Sequence, residues 1–167
     1  MLVLGLSPPD RPTFAAFLEL WPTRHSYAVS YLFIAIVWAN HHYLLHYATE
    51  ATPRLMWFNF VHLFSVSLLP LSTAWMAVSK LAPQPVAFYA AVFFFVNATY
   101  ILLTWELIQP RAGVSKKARR NMRFRSIVTL CLFGIASIVA LRYPFVGLGI
   151  CSCCLIGYLR PDAPRSN

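Results

Sequence analysis

The chain has 167 residues, of which 59% are hydrophobic and only 11% charged, with a formal net charge of +9. Soluble domains carry about a quarter charged residues, so this composition excludes an ordinary globular protein and predicts an integral membrane protein. The positive charge does not indicate nucleic acid: seven of the fourteen Lys and Arg fall between Arg111 and Arg125, beside an apolar run. A topogenic basic loop that also meets anionic lipid headgroups accounts for them, and no stacking or base-reading elements accompany it.

In chain order, the opening MLVLGL offers six apolar residues before Ser7, Pro8 and Pro9, too few to cross a bilayer and without the basic start of a signal peptide. It reads as the remnant of a helix at residues 1–6. The stretch from Arg11 to Leu20 is mixed and suits an interfacial segment. Pro22 fits a first helical turn, and the first complete span is predicted over 23–47, ending in WANHHYLLHY. Thr52 is a suitable N-cap and Pro53 a suitable first helical residue. The second span is predicted over 53–79, kinked at Pro70, whose missing N–H removes a backbone hydrogen bond. The third covers 86–107 and is dense in phenylalanine, the fourth 120–141 after the basic loop, and the fifth 144–159. The polar tail is 160–167. The fold class is therefore all-α: a polytopic membrane bundle of five complete helices plus the remnant of a sixth, forming one domain.

Lysine and arginine counts orient it. With the 111–125 loop in the cytoplasm, ten basic residues lie inside against four outside (Arg11, Arg24, Lys80 and Arg142), as the positive-inside rule requires. The C-terminus is then cytoplasmic. The parity also predicts a helix upstream of Met1, with Met1 as an internal start.

Four cysteines, Cys131, Cys151, Cys153 and Cys154, lie in apolar segments without zinc-finger spacing and read as small packing residues. Gly134, Gly147, Gly149 and Gly157 read as positions of close helix approach. No serine or cysteine has a base and an orienting acid beside it, and no glycine loop cradles phosphate, so an enzyme is not predicted.

The polar residues inside the spans carry the functional signal. His42 and His46 are four apart and share a helix face with Trp38. Together with His62 they form an alternative reading, a metal or haem site, although no carboxylate completes the ligand set. In the other reading the polar groups fasten helix to helix. Asn40 and Asn59 flank the short 48–53 turn, so two antiparallel helices bring them near each other. His62, Ser65, Ser67, Ser72 and Thr73 follow along the second span.

WANHHYLLHY, a short turn, and RLMWFNFVHLFSVSLLPLSTAW together resemble bacterial relatives of the lysosomal potassium channel, transmembrane protein 175. The matching residues are Trp38, Asn40, His41, His42 and Leu44, then Leu55, Trp57, Asn59, Val66 to Pro70 and Thr73. The resemblance implies six helices per subunit, a homotetramer, and conduction of potassium through a central pore in a bacterial plasma membrane, with no cofactor beyond the permeant ion. It implies that the first helix lines the pore with apolar side chains. Leu4 then corresponds to the outermost constriction, and the family's R-x-x-x-F-S-D signature has no counterpart here. Trp38, Asn40, His41, His42, Asn59 and Ser67 are implied as an interhelical polar network. A non-conducting remnant is the remaining alternative.

Overall fold

The computed structural model describes residue 13 and residues 21–48, 50–108 and 115–158, with the side chains of 21–30 and 158 left undescribed. The remnant at 1–6, Leu4, the first part of the basic loop and the polar tail lie outside the described residues.

The described chain is helical: α1 (Trp21–Leu45), α2 (Pro53–Ser67), α3 (Leu69–Val78), α4 (Pro83–Leu107), α5 (Lys116–Ala140) and α6 (Pro144–Tyr158). α2 and α3 form one broken crossing. Three helical stretches, Pro53–Val78, Pro83–Leu107 and Lys116–Ala140, are long and apolar enough to cross a membrane among the described residues, and Pro144–Gly157 is a shorter apolar helix.

The helix boundaries follow from local chemistry. Thr52 caps α2, its hydroxyl accepting from the Leu55 N–H at 3.2 Å, with proline at the start of the helix. Where one kinked helix was expected, α2 ends at Ser67 and α3 starts at Leu69. The Leu68 N–H turns to the Ser65 carbonyl at 3.2 Å, a tighter turn just before Pro70. α4 begins at Pro83, earlier than the apolar run suggests, because a proline needs no N–H partner in the first turn.

The largest difference concerns the basic stretch. Lys116 to Arg125, expected in a loop, are helical and belong to α5. Ser115 supplies the N-cap, accepting from the Ala118 N–H at 3.2 Å. Lysine and arginine are good helix formers, and their charge marked this stretch in the sequence without revealing its helical state.

α4 is the hub and packs against every other described helix. Val86, Ala90 and Leu103 on it are fully buried. Phe93 gathers three neighbours: the Phe33 ring of α1 meets it edge-on at 5.7 Å, Tyr89 edge-on at 4.9 Å, and Phe133 of α5 stacks at 5.4 Å. Lipid tails are as apolar as these side chains, so shape and contact hold such a core rather than removal from water. α5 and α6 meet through small residues. Gly147 lies so close to α5 that a Cβ there would be 2.6 Å from Ala140 Cβ and 2.9 Å from the Ala136 carbonyl oxygen. The expectation for the other glycines does not hold in the same way: Gly134 has ordinary contact room, and Gly149 and Gly157 face open space.

Candidate functional site

The polar residues of α1 and α2 are positioned by the turn between them. Backbone bonds from the N–H groups of His46, Tyr47 and Ala48 to the carbonyls of Tyr43, Leu44 and Leu45 wind α1 down tightly, and Thr52 and Pro53 restart the chain. α1 then packs its backbone on α3 and α4 rather than on α2. The α1–α2 contact is left to long side chains.

The first such contact joins His41 and Asn59. His41 Nε2 lies 2.7 Å from Asn59 Oδ1, so the imidazole donates and the amide oxygen accepts. The His41 ring also stacks on His62, with centroids 5.1 Å apart and planes 30° apart.

His62 is fully buried and turned toward α4. Its Nδ1 is 2.9 Å from Thr99 Oγ1. Thr99 has a single hydroxyl proton, and the Val96 carbonyl of its own helix lies 2.9 Å away to take it. Ser65 gives its proton to the His62 carbonyl at 2.6 Å and lies 3.1 Å from Thr99 Oγ1. We assign Thr99 Oγ1 as the acceptor and the His62 proton to Nδ1, because a proton on Nε2 would be a buried donor without an acceptor. The opposite nitrogen, Nε2, has no hydrogen-bond partner among the described residues. A crevice of about 50 Å³ adjoins the ring, lined by Ile36 and Asn40 of α1, by Phe93, Asn97 and Tyr100 of α4, and by Phe133 of α5.

Of the residues singled out in the sequence, the structure brings His41 and Asn59 into direct contact and sets Asn40 at the crevice. Asn40 was also expected to approach Asn59; its amide instead donates to the Ile36 carbonyl of its own helix at 2.8 Å. Trp38 and His42 face outward, Trp38 60% exposed, and stack on each other at 5.0 Å. His46 continues that outer stripe, 5.1 Å from the His42 ring. Ser67 is exposed and donates to the Phe64 carbonyl one turn back. Leu4 lies outside the described residues. The three histidines of the metal reading are thus divided between an exposed stripe and a buried ring, and among the described residues no group of three His, Cys, Asp or Glu side chains could hold a metal ion.

Asn97, Thr99 and Tyr100 are the site residues that sequence reasoning missed. An asparagine and a threonine in mid-span of an apolar helix were a sufficient signal, since buried polar groups in a membrane mark partners or pathways. The dense phenylalanines around them drew attention to packing instead.

Long apolar helices, a helix hub and polar residues sequestered at helix contacts define a polytopic integral membrane protein. A family model described as the endosomal/lysosomal potassium channel TMEM175 matches residues 1–70. A protein of a Chryseobacterium species named as a potassium channel is 26% identical over 163 residues, covering 97% of this chain and 85% of its own. Another of that name, from Streptomyces collinus, is 31% identical over 138 residues, covering 74% of this chain and 67% of its own. The chain belongs to the TMEM175 family. No solved structure matches it significantly.

Proposed function

We propose that the protein is a subunit of a potassium-permeable cation channel, conducting through a central pore formed by a homotetramer in a bacterial plasma membrane. The observation that carries this reading is the match to a bacterial protein named as a potassium channel along nearly the whole chain. The polar contacts support it in a specific way. His41–Asn59 and His62–Thr99 tie α1, α2 and α4 into one body, and a pore-forming subunit needs a rigid wall behind its lining. Conduction past an apolar constriction relies on dewetting rather than on a carbonyl filter, and Leu4 is the side chain assigned to that constriction.

The test is reconstitution of the purified chain into liposomes loaded with potassium, with flux followed under a potassium gradient. Potassium flux above that of empty liposomes, exceeding sodium flux, is expected. Flux indistinguishable from empty liposomes would leave the non-conducting reading in its place. Replacing Leu4 by alanine is expected to raise flux by widening the constriction, and native mass spectrometry is expected to show four subunits.

A further inference from the structure

At the end of the bundle where α2 begins and α4 ends, a cleft of about 580 Å³ is lined by Arg54, Trp105, Glu106 and Arg123. Residues adjacent to these in sequence belong to a compact apolar cluster: Leu55 of α2, Leu103 and Leu107 of α4 and Ile108 beyond it, with Ala118 and Met122 of α5 packed against them. That cluster joins the three helices that carry the polar groups.

Each of the lining residues sits at the edge of an apolar span. Arg54 is the second residue of α2, Trp105 and Glu106 are in the last turn of α4, and Arg123 lies one helical turn before the apolar part of α5, which begins at Ile127. This is the level at which tryptophan and arginine meet lipid headgroups. Among the described residues Glu106 is the single carboxylate lining the cleft, and its Oε2 lies 3.1 Å from Arg54 Nε. The Arg54 guanidinium also lies over the Phe58 ring at 5.4 Å, which fixes its plane while the side chain stays 71% exposed. The described lining thus carries two guanidinium groups and one carboxylate. Lys116, Lys117, Arg119 and Arg120 on the preceding turns of α5 add to the positive field.

We propose that this cleft binds the phosphodiester headgroup of an anionic phospholipid. Arg123 and the outer nitrogens of Arg54 hold the phosphate oxygens, a geometry guanidinium favours. Trp105, 47% exposed, lies along the glycerol backbone and first methylenes. Glu106 acts as the internal counter-ion that keeps Arg54 in place and competes with the lipid for it. Positive-inside orientation puts this end of the bundle at the cytoplasmic leaflet, where anionic lipids give juxtamembrane cations their attraction. Lipid binding is measured independently of conduction, so failure of the channel reading leaves this proposal standing, and the reverse.

The experiment is native mass spectrometry of the full chain in detergent, titrated with phosphatidylglycerol or phosphatidylcholine of the same acyl chains. Wild-type protein is expected to bind phosphatidylglycerol in preference to phosphatidylcholine. Arg123→Gln is expected to weaken phosphatidylglycerol about fivefold, the value of one interfacial cation, and Glu106→Gln to strengthen it by releasing Arg54. Arg142→Gln, in the α5–α6 connection, is the charge-matched control and is expected to change nothing. Equal loss in Arg123→Gln and Arg142→Gln would show attraction by net charge and overturn the site, as would weaker binding in Glu106→Gln. Displacement of phosphatidylglycerol by an equal concentration of inorganic phosphate would assign the cleft to a free anion and overturn the lipid.

Discussion

His41 and Asn59 meet across the α1–α2 turn at 2.7 Å, while the backbones of their helices pack elsewhere. The bond is therefore a direct tie between two segments that share few other contacts. Interhelical bonds of this kind contribute about 0.6 kcal/mol on average and up to roughly 1.7. A double-mutant cycle of His41→Ala and Asn59→Ala, read by unfolding in mixed detergent micelles, is expected to give a coupling in that range. Additive effects of the two substitutions would mean that the side chains do not interact.

Thr99 is asked to accept from His62 while donating to its own helix. Thr99→Val keeps the shape and removes the acceptor, leaving a buried imidazole N–H without its partner. The expected loss is about 1–3 kcal/mol, seen as a lower midpoint of unfolding. Ser65→Ala removes a hydroxyl whose proton serves only the carbonyl one turn back and is expected to cost less than Thr99→Val. The opposite order would contradict the assigned proton positions.

The α5–α6 crossing depends on Gly147. Gly147→Ala places a methyl group within 2.6 Å of Ala140 Cβ and must push the helices apart, a form of overpacking that costs about 1–3 kcal/mol. Gly149→Ala, where nothing lies within 4 Å, is expected to be neutral or to stabilise α6 by about 0.5–1 kcal/mol through better helix propensity. Thermal midpoints of the two purified variants distinguish them directly.

Between α3 and α4 the chain turns through Lys80 and Leu81, both with positive φ, at 51° and 62°. For residues with a side chain, that conformation costs roughly 1–2 kcal/mol each. Lys80 is exposed, so Lys80→Gly relieves the strain without losing packing and is expected to raise the unfolding midpoint. Leu81 packs against the main core, so Leu81→Gly is expected to lower it despite the same backbone relief.

The sequence carried the membrane class and the helical fold because apolar runs and their punctuation are local properties. Thr52, Pro53 and Pro70 each act within one helical turn, and their effects could be read in place. Arg123 shows where local reading stopped, because a basic run signals the membrane boundary equally well as loop or helix. The polar contacts were legible only in part. His41, His42 and Asn40 are adjacent in sequence, yet a rotation of about 100° per residue sends them to different surroundings. His41 reaches α2, His42 faces outward, and Asn40 bonds its own helix. Thr99 is 37 positions from His62, and no periodicity in either helix announces the other.

The interruption at Leu68 divides one crossing between two mechanical allegiances. α2 packs mainly on α4, whereas α3 packs on both α1 and α4. The His41–Asn59 bond joins α1 to the half of the crossing that its backbone does not pack on. Both halves of the broken crossing are thereby tied to α1, one by packing and the other by a single hydrogen bond.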